Sequence, residues 1–215
     1  MRLADGDMIF CGNERTAQSC VIAQGMAICQ LKVDSEHRKR VITGLKVPGD
    51  IVALDGFILT RLLHGLVACG PTTVNYIDHE ELRRATTESP RLARLFMSLT
   101  AREAAISRQW LAASARLNVA GHLAHLLCEL HFRLSEADAV NSGVFSLPIL
   151  QRDLGDALGY SPVHINRAVR ELRQRGLIEW HGQQIRLLDL ERLTRLARFD
   201  PSYLKLCANL DAGTL

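Results

Sequence analysis

The sequence predicts an α+β protein in three successive parts: a β-rich segment over residues 1–87, a long helix over 88–118, and a helix–turn–helix–hairpin segment within 119–215. Three observations carry this reading. Short apolar stretches punctuated by glycines fill the first part, and an apolar stripe at heptad spacing follows Ser89-Pro90. Two short helical patterns then flank Gly159 ahead of an alternating hairpin. With 215 residues, 47% hydrophobic and 23% charged, the chain is long and apolar enough for a real core and is not of a disordered type.

In the first part the apolar stretches are Met8–Phe10, Cys20–Ala23, Ala27–Val33, Val41-Ile42, Leu66–Cys69 and Val74–Ile77. Gly6, Gly12, Gly25, Gly44, Gly49, Gly56, Gly65 and Gly70 separate them, which is the pattern of a sandwich or barrel of short strands. The polar run from Asp34 to Arg40 reads as a hairpin tip, and Pro48-Gly49-Asp50 as a tight turn.

Ser89 is a helix N-cap with Pro90 at the first helical position. Beyond it Leu92, Phe96, Leu99, Glu103, Ile106, Trp110, Ala113 and Leu117 alternate four and three apart, and all but Glu103 are apolar. A narrow stripe of period 3.5 over four heptads is the seam of a coiled coil, so these seven apolar residues are the expected dimer contacts. The competing reading is an amphipathic helix packed on its own β-segment, and Leu95, Ala104, Ala105 and Leu111 broaden the apolar face enough for one helix to do both. Asn118–Gly121 interrupts the helix, and a second one follows through Leu134. His122, His125 and His131, with Cys128 between, drift around that helix and cannot converge on one metal ion, so no metal is expected. Ser135–Ser146 reads as a polar linker.

Gln151–Leu158 then forms a short helix with Leu154 and Leu158 inward, closed by Gly159. Ser161 caps a second helix with Pro162 at its first position, and Ile165, Ala168, Val169 and Leu172 give it an apolar face. Gly155 marks the place where the two helices cross. After Gly176, Leu177–Trp180 and Ile185–Leu188 alternate as two strands around His181–Gln184, forming a wing. Asn166, Arg167 and Arg170 project from the face opposite Ile165 and Val169. From Ser161 to Gly176 four arginines (Arg167, Arg170, Arg173, Arg175) stand against Glu171 alone, so this stretch carries as much positive charge as the whole chain's net +3. A winged helix-turn-helix with such a face enters the DNA major groove, where arginine reads guanine and asparagine reads adenine.

No apolar run approaches the roughly 18–20 residues of a membrane span, and the first seven residues lack the apolar core of a secretory signal, so the expected compartment is the cytoplasm. The six cysteines, at 11, 20, 29, 69, 128 and 207, show neither a CxxC pair nor a metal-ligand spacing and read as buried reduced thiols. Neither a Ser/His/Asp ordering, nor HExxH, nor a phosphate-cradling glycine loop occurs, which leaves an enzyme without support.

The stretch Leu150–Arg167 is similar to the DNA-binding motif of the Crp/Fnr family of bacterial transcription regulators, and Leu172–Ile178 resembles that motif's helix end and first wing strand. Pro90–Gly121 has the spacing of the family's dimerisation helix, and the N-terminal strands resemble its cyclic-nucleotide-binding-type β-roll, a double-stranded β-helix. The resemblance implies a homodimer on a palindromic operator in double-stranded DNA, with RNA polymerase as a further partner and no membrane. It implies a DNA-contacting set of Gln151, Arg152, Ser161, Pro162, Val163, His164, Asn166, Arg167 and Arg170.

The chain departs from the family at its sensory cassette. In register with Pro48-Gly49-Asp50, the Gly-Glu pair that binds ribose in cyclic-AMP-binding members falls on Ala53-Leu54, and the Arg-Ser pair that binds the cyclic phosphate falls on His64-Gly65. Leu54 cannot accept a hydroxyl's hydrogen bond and His64 is a poor substitute for a guanidinium fork, so no ordinary cyclic-AMP response is expected. Leu54, Arg61, His64, Gly65, Ser107 and Arg108 are the positions where an effector pocket is expected, and no cofactor is expected in it. Neither an iron–sulfur cysteine cluster nor clear haem ligands are present. Pro162-Val163 replaces the Arg-Glu of well-known members, while Arg167 keeps the base-reading arginine position and His164 takes a phosphate-contacting one. The alternative is a ligand-, redox- or metal-gated sensor of the same fold that binds a different small molecule.

Overall fold

The computed structural model describes residues 1–32, 40–59 and 61–206; the expected hairpin tip at 34–39 and Cys207 lie outside them. Six antiparallel strands form the N-terminal sheet: β1 (Arg2–Leu3), β2 (Met8–Phe10), β3 (Gln18–Lys32), β4 (Arg40–Lys46), β5 (Ile51–Val52) and β6 (Gly65–Asp78). Its spine is β3 against β6, paired from Gln18↔Asp78 to Gln30↔Gly65. β4 and β5 pair with β3, and β1 and β2 pair with β6. The separate apolar stretches of the sequence fuse into two long strands because register shifts around Gly25 let β3 bulge and continue.

Strand alternation decides what each face touches. Ala27 and Cys29 point into the roll's own core with Ile22, Leu66 and Val74. Met26 and Ile28 point the other way and join a larger core with Ile42, Leu45 and Val47. That second core continues into the C-terminal half of the chain.

Two helices lie in or at the end of the segment expected to be β-rich: α1 (Asp55–Ile58) and α2 (His79–Glu88). The sequence of α2, HEELRRATTE, buries only His79 and Leu82, so it shows no apolar stripe to announce a helix. Helix α3 (Pro90–Arg116) starts as expected, with Ser89 Oγ accepting from Leu92 N at 3.3 Å. The expected break follows but is confined to Leu117-Asn118: Asn118 caps helix α4 (Val119–Glu136), accepting from Gly121 N at 2.9 Å. None of the helices among the described residues is long and apolar enough to cross a membrane.

The expected seam on α3 is covered in part by the chain itself. Ile106 and Ala113 are buried within their own chain, and the Trp110 indole turns inward to Glu129. Glu103, the polar exception in the stripe, also faces the roll, where it forms an ion pair with the buried Lys46. The stripe is therefore the helix's attachment to its own β-domain over this half. A second stripe is solvent-facing: Met97 and Leu111 are 72% and 71% exposed. With Ala101, Ala104, Arg108 and Ala115, all exposed, they keep the same four-three spacing. Of the other expected contacts, Leu92 is exposed and Phe96, Leu99 and Leu117 are half-buried.

The last part comprises β7 (Val144–Ser146), α5 (Gln151–Leu158), α6 (Pro162–Gln174), β8 (Ile178–His181), β9 (Gln184–Leu187), α7 (Leu190–Ala197) and a 3₁₀ turn over Pro201–Leu204. The expected linker thus contains β7, which pairs with β9 and makes the wing three-stranded in the order β7-β9-β8. At three residues, VFS, it is too short for alternation to show. Leu154, Leu158, Ile165, Ala168, Val169 and Leu172 join α4 in the shared core.

A buried ionic network crosses this core. Arg133 on α4 donates from Nη1 to Glu129 at 3.0 Å and from Nη2 to Leu45 O at 3.0 Å and Asp50 at 2.6 Å. Glu129, fully buried, also accepts from Trp110 Nε1 at 3.1 Å and Tyr203 Oη at 2.8 Å. Arg133 and Glu129 stand one turn apart on α4, and their other partners lie on other elements, so the network ties the roll's Pro-Gly-Asp turn to α3, α4 and the C-terminal turn.

Cys20, Cys29, Cys69 and Cys128 are buried, and burial pushes each thiol up to about 12. Cys11 is exposed, against expectation.

Candidate nucleic-acid interface

The interface begins with a turn that only a small residue permits. A Cβ on Gly155 would stand 2.5 Å from the Tyr160 carbonyl oxygen, so α5 can fold back onto the turn only where no side chain intervenes. The nearest atom is in the turn, and Pro162 N at the start of α6 follows at 3.8 Å. Gly159 then leaves α5 in the left-handed conformation, at φ 76°.

Helix α6 is capped by Ser161, whose Oγ accepts from His164 N at 3.5 Å and lies 3.0 Å from His164 Nδ1. Ile165, Ala168, Val169 and Leu172 are buried, which turns the opposite face to solvent. That face presents Val163 (73% exposed), Asn166, Arg167 and Arg170 at i, i+3, i+4 and i+7. Pro162 and His164 are exposed beside them. Neither Arg167 nor Arg170 forms an ion pair among the described residues, whereas Arg175 pairs with Glu171 at 3.2 Å. Two guanidiniums held at one turn's spacing without a counter-charge form a surface suited to an anionic, base-bearing partner.

Gln151 and Arg152 are exposed at the start of α5. Gln151 Oε1 accepts from Asn166 Nδ2 at 3.2 Å, joining the two helices at the exposed surface. Arg152 lies 3.5 Å from Asp153 and is otherwise solvated. Helix α5 is clasped from behind: Arg40 on β4 pairs with Asp153 and, at 3.2 Å, with Asp156. The sequence contained no sign of that clasp, because 113 residues separate Arg40 from Asp153.

Of the six expected effector positions, Leu54 lines an apolar groove of about 550 Å³ with Phe57, Ile58, Leu82, Phe96 and Met97, and the groove's Thr86 and Thr100 hydroxyls are spent on Leu82 and Phe96 carbonyls. Burial pulls His64 below its usual range, opposed by Asp55 at 3.5 Å. Gly65 is buried in β6, and Arg61 is exposed. Ser107 and Arg108 are exposed on α3, with Ser107 one turn from Glu103 and donating its hydroxyl to the Glu103 carbonyl at 3.1 Å. Ala53 keeps φ 61°, so the cassette retains a left-handed backbone where the resemblance implies glycine.

On α4, His122 packs edge-on to Tyr160 with centroids 5.8 Å apart, and His125 Nδ1 lies 3.2 Å from Ala197 O. Burial lowers His122 to about 4, with His125 adding a smaller push the same way. Among the described residues no group of three or more His, Cys, Asp or Glu is placed to hold a metal ion.

Residues 121–196 match the Crp-like helix-turn-helix domain family. The chain is 32% identical over 155 residues to the transcriptional regulatory protein btr of Bordetella pertussis, covering 72% of this chain and 64% of that protein. It is 28% identical over 156 residues to the transcriptional activator protein FnrA of Stutzerimonas stutzeri, covering 73% and 64% respectively. The match thus spans just under two thirds of the length of these relatives. In fold, the chain superposes on the structure of FixK2 from Bradyrhizobium japonicum with a TM-score of 0.80 and 24% identity, covering 91% of this chain and 95% of that one.

Proposed function

This chain is a Crp/Fnr-type protein carrying a Crp-like helix-turn-helix domain, and from that premise we propose that it is a sequence-specific transcription regulator working as a homodimer on a palindromic operator. The observation that carries the reading is the solvent face of α6, where Asn166, Arg167 and Arg170 stand exposed or half-exposed and the two arginines lack a counter-charge among the described residues. One such helix enters each half-site, with Arg167 and Asn166 on base edges and Gln151, Arg152, His164 and Arg170 on phosphates.

The dimer forms through the exposed stripe of α3, led by Met97 and Leu111, rather than through the stripe read from the sequence. The chain acts in the cytoplasm, with RNA polymerase as a further partner, and not as an enzyme. It does not answer to cyclic AMP: Leu54 lines an apolar groove, and Arg61 and Arg108 are both exposed.

A second reading, a sensor gated by another small molecule, is favoured by the groove between α1, α2 and α3. Its volume of about 550 Å³ falls within the range of small-molecule sites, and its two threonine hydroxyls are already bonded, so an apolar ligand fits it best.

Selection of duplex DNA from a random pool tests the main reading. The expected product is an inverted repeat with half-site centres about 10–10.5 base pairs, one helical turn, apart. No enrichment, or a single unrepeated motif, would overturn it. In a thermal melt cyclic AMP is expected to leave the midpoint unchanged, and a rise of several degrees would overturn the cassette assignment.

A further inference from the structure

We propose that Gln151 is a positioning residue that orients the Asn166 amide for adenine, so that one position of each half-site is read through a phosphate–Gln151–Asn166–base relay. This rests on the DNA-binding reading above and adds which base is chosen and what selects it.

Both side chains are amides, and an amide can present either its oxygen or its nitrogen to a neighbour. Free in solvent, Asn166 would offer either end to a base. In the structure it is tied: Asn166 Nδ2 donates to Gln151 Oε1 at 3.2 Å. Gln151 is the first residue of α5, the helix that crosses the DNA backbone in a helix-turn-helix. A phosphate oxygen only accepts, so a phosphate beside Gln151 requires its Nε2 donors outward and Oε1 inward. With Oε1 inward, Asn166 must give one N–H to Gln151. The reverse arrangement would set Gln151 Oε1 against the phosphate, two acceptors in contact.

What remains on Asn166 is one N–H and the Oδ1 acceptor, side by side. In the major groove adenine offers the matching pair, an N7 acceptor beside an N6 donor. Guanine offers two acceptors there, O6 and N7, so Oδ1 would face O6. Cytosine offers a donor alone, and thymine an acceptor beside a methyl group. The relay therefore discriminates for adenine. Its surroundings leave it free to act: Ile165 and Ala168 behind Asn166 are fully packed, and the Asn166 side faces solvent with Val163 and Arg167.

Selection from a random duplex pool, run with the full chain and three variants, tests the relay. Wild type should enrich adenine at one position per half-site. Asn166→Ala should cut that preference about tenfold and leave the base read by Arg167 unchanged. Gln151→Ala should relax the same adenine position although Asn166 is intact, an effect a merely structural residue would not produce. Gln151→Glu still accepts from Asn166 but cannot donate to phosphate. It should keep the adenine preference while affinity falls on every sequence, because a carboxylate beside a phosphate repels it. An unchanged adenine column in Gln151→Ala would overturn the relay, and an unchanged column in Asn166→Ala would remove Asn166 as the reader. If wild type enriches no sequence, the DNA-binding reading itself fails, and the relay with it.

Discussion

The Trp110 indole nitrogen lies 3.1 Å from Glu129 Oε2 and 3.3 Å from Oε1, so the largest side chain of the expected dimer seam is anchored inside its own subunit. Trp110 is therefore a folding residue, and in the proposed dimer Leu111, its solvent-facing neighbour, is the assembly residue. Trp110→Phe removes one donor from a buried carboxylate and should cost about 1–3 kcal/mol of stability with no change in the dimer's mass. Leu111→Glu should leave the melting temperature of the subunit fold nearly unchanged and halve the mass in light scattering. A dimer that survives Leu111→Glu would return the seam to the inward stripe.

Arg133 joins Glu129 and Asp50 with almost no solvent contact; its side chain is 1% exposed. Replacing it by Met would leave two carboxylates without their cation, and breaking such a buried pair costs about 3–5 kcal/mol. Urea denaturation at neutral pH measures this. A loss below about 1 kcal/mol would mean that the network is hydrated and adds little.

Buried His122 provides a pH dependence whose sign can be worked out. Its folded value, about 4, lies below the ordinary 6.5, so between these values the unfolded chain binds the proton and the folded chain does not. Stability should hold above about pH 6.5 and fall as pH drops toward 4, by up to about 1.4 kcal/mol per pH unit for this one group. His125 and His131, both lowered chiefly by burial, shift the balance in the same direction. In His122→Gln the fall should be shallower, as read from urea midpoints at pH 7.5 and 5.5; an equal slope would place the titration elsewhere.

Gly155 tests the turn between α5 and α6. A methyl group there meets the Tyr160 carbonyl at 2.5 Å, a backbone atom that cannot step aside without opening the turn. Gly155→Ala should cost about 1–3 kcal/mol and weaken DNA binding by displacing α6 relative to α5. Gly143→Ala is the control, since its added Cβ meets nothing within 4 Å although its φ is 76°. Equal effects on DNA binding from the two would remove the steric explanation.

The helix-turn-helix was legible because each local device sits next to its partner in sequence. Ser161 with Pro162, Gly159 after Leu158, and the four-residue apolar spacing of α6 announce themselves within a few positions. The 3.5-residue stripe on α3 was equally visible, but its meaning was not. Periodicity shows that a face is apolar and not what covers it, and only Glu129 and Lys46, distant in sequence, show that the cover is the same chain. Helix α2 buries just His79 and Leu82, and β7 is three residues long, so neither carries a periodic signal. For the effector positions, a gapless register places residues along a strand but not around a helix, and Ser107 and Arg108 are exposed on α3. The clasp from Arg40 to Asp153 and Asp156 links elements over 100 residues apart and has no local signature.

The most direct test of sequence reading by the exposed face of α6 is Arg167→Ala, with affinity measured by fluorescence anisotropy on the selected operator and on a scrambled duplex of equal length and salt. The expected result is a loss of about 1–3 kcal/mol on the operator, a far smaller loss on the scrambled duplex, and relaxed preference at one position per half-site. Equal loss on both duplexes would contradict it and make Arg167 a phosphate contact.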